Sequence, residues 1–302
     1  MEWDFELVAG PYDGITEGPA WDGEALLFTH IPGSRILRFD PRTGSVSEFR
    51  RYTNFTNGLA FSADGELYGC QSASRRIVRF NRDGSANMLA DRLEGRFHNQ
   101  PNDLAVDAQG RIWFSDPFGN RRNPGPQHEA LDHASILRLE RRVDRSWVIR
   151  RMTYDTTSPN GVLVSQDQGT LYVAESNRTA ERRELRAYRI RDDDTLGPYA
   201  VLHTFGSDYQ GPQRGVDGMC LDADGNIIAC AGWRQAGPGP MIYVFTPTGR
   251  VIETHPMPVD RPTNCTFGDP DLRTLYITTW EGHLYRVRNT GRQGWLIYPL
   301  AR

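Results

Sequence analysis

The chain is built from short apolar runs bounded by turn residues, and the runs recur in a fixed order. Six times an apolar run is entered through a polar residue: Glu17-Gly18, Asn57-Gly58, Asn102-Asp103, Asn160-Gly161, Asp217-Gly218 and Asn264-Cys265. A second run follows in each case: Leu27-Phe28-Thr29, Leu67-Tyr68-Gly69, Ile112-Trp113-Phe114, Leu171-Tyr172-Val173, Ile227-Ile228-Ala229 and Leu275-Tyr276-Ile277. Between the two lies a turn: Asp22-Gly23, Asp64-Gly65, Gln109-Gly110, Gln168-Gly169, Asp224-Gly225 and the less regular Asp269-Pro270-Asp271. Each pair of runs predicts a β-hairpin. A third run, Arg35–Phe39, reads as alternating charged and apolar residues, as an antiparallel strand with one wet face does, and its counterparts are Arg76–Phe80, Ser135–Leu139, Leu185–Ile190, Met241–Phe245 and His283–Val287.

The leading polar positions are spaced by 40, 45, 58, 57 and 47 residues. That is the period of a propeller blade, so the fold class expected is all-β, a six-bladed β-propeller over residues 1–302 as one domain. The stretch Phe5–Ala9 is expected to complete the last blade, close to Trp295–Tyr298, leaving no open edge. Three longer connections, Pro117–Ala134, Glu175–Glu184 and Trp233–Pro240, are expected to reach the rim where the first strands begin.

Equivalent points on six blades converge on one axis. The ladder of carboxylates and carboxamides therefore predicts a cluster of hard oxygen donors at one mouth of the central channel, suited to a divalent cation. Without a cation, such a cluster of acceptors would be costly. Trp233 and Trp280 end second strands and either wall this pocket or pack beneath it. His30 and His98 are placed beside the mouth or at the surface. The seven histidines form no zinc signature, and there is no G-x-S-x-G elbow, P-loop or dinucleotide fingerprint.

The net charge of −3, with signs mixed along the chain, argues against a nucleic-acid footprint. Arg121-Arg122, Arg141-Arg142 and Arg182-Arg183 read as solvated loop faces. The opening Met1-Glu2-Trp3-Asp4 lacks the features of a signal peptide, and no apolar run has the length of a membrane span. Cys70, Cys220, Cys230 and Cys265 show no C-x-x-C spacing and read as buried thiols of a reducing compartment, with a Cys220–Cys230 disulfide conceivable. The expectation is a cytoplasmic protein, a monomer or weak oligomer, acting on a small molecule with no nucleic-acid or membrane partner.

Several segments together carry a resemblance. They are Glu17-Gly18-Pro19-Ala20-Trp21, Ile31-Pro32-Gly33-Ser34-Arg35-Ile36, Pro101-Asn102-Asp103-Leu104, Trp113-Phe114-Ser115-Asp116-Pro117, Ser158-Pro159-Asn160-Gly161, Val216-Asp217-Gly218-Met219 and Pro262-Thr263-Asn264-Cys265-Thr266-Phe267-Gly268. In this order they resemble the regucalcin/gluconolactonase family. The resemblance implies a six-bladed propeller with one divalent metal in the channel (calcium, magnesium, manganese, zinc or iron(II)) and a hydrolase that opens aldonolactones. It implies that Glu17, Asn160 and Asp217 ligate the metal, that Asp217 also serves catalysis, and that Asn102, Gln100 and Asp116 contact substrate. The chain departs from the family pattern at Gln100, where many relatives carry arginine, and at His30 in Thr29-His30-Ile31-Pro32-Gly33, where aspartate is usual; both bear on substrate identity. The expected reaction is metal-dependent opening of a sugar lactone. A phosphotriester hydrolase of the diisopropyl-fluorophosphatase kind and a non-catalytic calcium-binding propeller stand as alternatives.

Overall fold

Short side chains in the hairpin turns satisfy the backbone there. Asp22 Oδ1 accepts the N–H groups of Glu24 at 2.8 Å and Ala25 at 2.7 Å, and Asp222 Oδ1 does the same for Asp224 at 3.0 Å and Asn226 at 2.8 Å. Such Asx turns fix where one strand stops and the next begins. At the Gln168-Gly169 turn the left-handed position belongs to Gln168, with φ of 62°, and not to the glycine.

In this computed structural model, which describes residues 2–119, 131–177 and 182–299, the strands form six antiparallel blade sheets and two short two-stranded ribbons, Arg92–Leu93 with Arg96–Phe97 and Ser207–Asp208 with Gly211–Pro212, and no helix occurs among the described residues. Blade 1 holds Thr16–Trp21, Leu26–His30, Arg35–Asp40 and Ser45–Arg50; blade 2 holds Thr56–Phe61, Leu67–Gln71, Arg76–Phe80 and Ala86–Ala90. Blade 3 runs from Leu104–Val106 through Ile112–Asp116 and Ser135–Arg141 to Trp147–Arg151, and blade 4 from Pro159–Val164 through Thr170–Asn177 and Arg182–Ile190 to Leu196–Phe205. Blade 5 comprises Val216–Asp222, Ile227–Trp233, Ala236–Phe245 and Val251–Pro256, with Gly294–Trp295 added beside its first strand. Blade 6 comprises Pro262–Gly268, Thr274–Thr279 and Leu284–Val287, and its outer strand is Glu6–Ala9. The first strands neighbour one another in a closed cycle, as the six-bladed propeller requires.

The N-terminal strand completes the last blade as expected, with Glu6 opposite Arg286 and Leu7 opposite Tyr285. Residues 295–298 do not lie beside it. Trp295 pairs with Leu221 at the far end of a first strand, and the Tyr298 ring sits 5.4 Å from Phe61, so this segment lines the end of the channel opposite the strand starts. Thr16 joins blade 1 to blade 6: its Oγ1 donates to His283 O at 2.7 Å, and Thr263 Oγ1 donates to Thr16 O at 2.8 Å. Aromatic residues fill the wedge between these blades, where Trp21, Phe28, Phe39, Phe267 and Tyr276 are almost fully buried.

Two of the predicted long connections prove to be extended hairpins. Strand pairing continues through Glu175–Asn177 against Arg182–Glu184, and Trp233 pairs with Ala236, so blade 5 needs almost no loop there. Residues 178–181, and within the blade 3 insertion residues 120–130, including His128 and the Arg121-Arg122 pair, lie outside the described residues. No described helix is long and apolar enough to cross a membrane.

Candidate functional site

Five of the six blades, all but blade 3, enter the first strand through a bulge in which two residues oppose one on the second strand. Thr56 and Leu59 face Gln71 and Gly69, Pro159 and Val162 face Glu175 and Val173, Val216 and Met219 face Ala231 and Ala229, and Pro262 and Cys265 face Thr279 and Ile277. In blade 1, Glu17 and Ala20 face Thr29 and Leu27. The residues inside the bulge are those the local kink aims away from the ladder. The sequence ladder treats its six residues as equivalent, and the register corrects this. Asn57, Asn160 and Asp217 share one level, Glu17 stands one residue before it, and Asn264 one residue after, level with Gly58, Gly161 and Gly218. Three adjacent levels therefore contribute donors to one small volume.

The inner strands approach closely enough there to require glycine. A Cβ on Gly218 would lie 2.1 Å from Asn264 Cγ, and one on Gly161 would lie 2.3 Å from the Asp217 carbonyl oxygen. Gly218→Ala is thus expected to swing the Asn264 side chain aside with a modest loss of stability, about 1–3 kcal/mol, and a larger loss of activity. Urea melts alongside initial rates would check this split; unchanged rates would show that Asn264 plays no part.

Three buried acids meet at this mouth: Glu17 and Asp217 at 5% exposure and Asp103 at 8%. Burial pushes the Glu17 carboxyl well above the usual range, and the Asp217 and Asp103 charges push it further; the Gly18 N–H, donating to Glu17 Oε2 at 2.6 Å, opposes this. Asp103 is pushed up to about 7, first by burial, against the N–H of Leu104, which donates to its Oδ1 at 2.9 Å. Asn264 Nδ2 donates to Asp103 Oδ2 at 3.4 Å, and the Asn264 Oδ1 accepts from Cys265 N–H at 2.9 Å. Asp217 Oδ2 accepts from Arg214 Nη2.

Sequence reading placed Glu17, Asn160 and Asp217 together, and the structure brings Glu17 close to Asp217 while half-burying Asn160 on the neighbouring blade at the Asp217 level. Asp103 and Arg214 were missed. Asp103 follows Asn102 directly, and Arg214 stands three residues before Asp217, the two signals available in the sequence.

The Asn102, Gln100 and Asp116 group lies in blade 3. Asn102 is held by its backbone, donating to Ser115 O at 3.0 Å and accepting from Gly58 N–H at 2.9 Å, while its Oδ1 and that of Asn57 are buried without a protein partner among the described residues. Asp116 is fully buried, and its Oδ2 accepts the Asn99 N–H at 2.8 Å. The Gln100 N–H donates to Pro117 O at 3.2 Å, and its side chain packs under Gly119. Asp116 is thus turned onto the backbone of residues 99 and 100 and braces the entry to the first strand.

Burial raises Asp116 to about 7 from an ordinary value of 3.8, against the Asn99 N–H and the charges of Arg75 and Arg151. The folded value lies above the unfolded one, so the stabilising contribution is complete below about 3.8 and is lost as pH rises through about 7. Asp116→Asn removes this titration and should flatten the loss of Tm between those two pH values; melts in a pH series would check it, and an unchanged slope would refute it.

His30 is buried, its Nε2 2.9 Å from Asp13 O and its Nδ1 3.1 Å from Arg35 Nη2. His98 is fully buried against Phe114, and burial lowers it to about 3. Trp280 is exposed beneath the Arg261 guanidinium, whereas Trp233 Nε1 is buried and unpaired among the described residues. All four cysteines are buried and free; the nearest partner of Cys220 is Cys265, at 3.5 Å between sulfurs, and not Cys230. Past the acids the channel encloses about 140 Å³, lined by Leu59, Leu104, Val162, Met219 and Cys265, with Trp295 at its far end.

The donor chemistry fits a hard divalent cation. Glu17 and Asp217 supply carboxylate oxygens, Asn57 and Asn102 carry buried amide oxygens lacking protein donors, and no histidine or cysteine ligand stands among them. Among the described residues no three His, Cys, Asp or Glu side chains could hold an ion by themselves, so an ion here would also draw on amide oxygens.

The model of the SMP-30/Gluconolactonase/LRE-like region matches residues 15–281. A gluconolactonase of Zymomonas mobilis is 27% identical over 90% of this chain and 78% of its own length. Regucalcin of Xenopus laevis is 25% identical over 98% of this chain and 97% of its own. The solved structure of a gluconolactonase from Xanthomonas campestris superposes with a TM-score of 0.78 at 31% identity, covering 94% of this chain and 89% of that one.

Proposed function

The chain belongs to the SMP-30/gluconolactonase/LRE-like family, and on that footing we propose that it hydrolyses a sugar lactone, an aldonolactone, to the open-chain acid. The observation that carries the reading is the convergence of Glu17, Asp103 and Asp217, three buried acids, on the mouth of a closed ring. Gluconolactonases among its relatives point to the same substrate class.

Glu17, Asn160 and Asp217 would hold one divalent cation, with Asn57 and Asn102 turning amide oxygens to the same volume. When bound, the cation would polarise the lactone carbonyl and make water easier to deprotonate. Asp217 takes a proton from the attacking water at Oδ1 or Oδ2 as the water oxygen bonds to the carbonyl carbon. The tetrahedral oxyanion collapses, the bond from that carbon to the ring oxygen breaks, and the proton passes from Asp217 to the departing oxygen, which becomes a hydroxyl. Asn102 orients the substrate through its amide. Gln100 and Asp116 shape the blade 3 side of the rim and bear on which sugar is accepted. One chain, acting as a single domain, suffices for this chemistry.

Hydrolysis of gluconolactone and of diisopropyl fluorophosphate by the same preparation tests the assignment. Acceleration of lactone opening well above phosphotriester hydrolysis is expected, and the reverse preference would overturn it.

A further inference from the structure

We propose that Arg214 is an internal competitor for the cation, a guanidinium that must leave Asp217 before a divalent ion can take the same oxygen. This rests on the cation reading above. Arg214 Nη2 donates to Asp217 Oδ2, and Nη1 donates to Pro262 O at 3.2 Å, so the guanidinium is tethered between blades 5 and 6 at the acidic mouth. Its side chain is only 15% exposed, which strengthens the pair relative to a surface ion pair.

Local backbone shape aims the side chain there. Gly215, with φ of 77°, turns the chain back between Arg214 and Val216, and a Cβ at that position would lie 2.7 Å from Arg183 Cβ. An L side chain is strained in this region, so the Arg-Gly-Val-Asp order itself presents the guanidinium to the carboxylate three residues on. Arginine stays charged at every working pH, so the pair cannot be relieved by deprotonation.

A divalent ion on Glu17 and Asp217 would face this guanidinium across one carboxylate. The two positive charges repel, and only one can use Asp217 Oδ2 at full strength. By linkage, whatever Arg214 takes from cation affinity the cation takes from the Arg214–Asp217 pair. In the cation-free protein the guanidinium offsets the repulsion among three buried acids. In the loaded protein it is displaced toward solvent, still tethered at Pro262 O, where it can donate to an oxygen of the substrate.

Calorimetric titration of calcium, magnesium and manganese into the full chain tests this, beside thermal melts of chelated and calcium-saturated protein. Arg214→Gln is expected to bind calcium about tenfold more tightly and, when chelated, to melt below chelated wild type, with saturating calcium narrowing the gap. Equal or weaker calcium binding by the variant would overturn the proposal alone. If neither wild type nor variant binds any of the three ions saturably, the cation reading fails and the proposal falls with it. Should Arg214→Gln not fold, Arg214→Lys, which keeps the charge but loses the two-pronged tether, is expected to bind calcium more tightly than wild type; equal affinity would overturn the proposal.

Discussion

Asp217→Asn is expected to lower turnover by roughly 10²- to 10⁴-fold, the usual contribution of a positioned general base. The substitution keeps size and removes both the proton acceptor and one negative charge at the mouth. It also replaces the ion pair with Arg214 by a hydrogen bond from the charged guanidinium to a neutral amide oxygen, so the thermal melt must be measured alongside the rate. Asp217 lies in a first strand buried along its whole length, Val216–Asp222, whose backbone the change leaves alone. A folded variant with cation bound and wild-type turnover would remove Asp217 from the mechanism.

Glu17→Gln is expected to act differently. Glu17 is pushed toward its neutral form by burial and by the charges of Asp217 and Asp103. A bound cation reverses that penalty, so the carboxylate is worth more to ion binding than its geometry alone suggests. Removing it should weaken cation affinity at least ~10-fold, while excess cation restores most of the rate. Failure of excess cation to rescue a folded variant would assign Glu17 to the chemical step. In the cation-free state the same substitution should stabilise the fold, because it deletes one of three mutually repelling buried acids.

The blades were legible because their punctuation is local. Asp22 and Asp222 cap their own turns within four residues, whereas the period-two alternation expected of the third strands is not what burial shows: Ile77 and Val78 are buried in succession in Arg76–Phe80, and Leu284–Val287 is buried throughout. The polar entry positions of the first strands were legible, but not their levels. A bulge changes which residue faces the axis without changing the order of residues, so Glu17, Asp217 and Asn264 looked alike in sequence and stand one residue apart in register. Asp103 escaped notice because Asn102 beside it occupied the expected position. Arg214 escaped because its role depends on the backward turn at Gly215, which composition does not announce. The placement of Gly294–Trp295 against blade 5, and not beside the N-terminal strand, depends on packing across the channel that no local pattern encodes.

The central claim is that this mouth opens sugar lactones with the help of a cation held by Glu17, Asn160 and Asp217. Its most direct measurement is acid release from freshly dissolved xylono-, arabinono-, glucono- and galactono-lactones, with chelated protein and with each divalent cation restored, after subtracting spontaneous opening. The account predicts acceleration that vanishes on chelation, returns with one or two cations, and favours one or two of the sugars. A flat panel from protein that nonetheless binds the cation would contradict it.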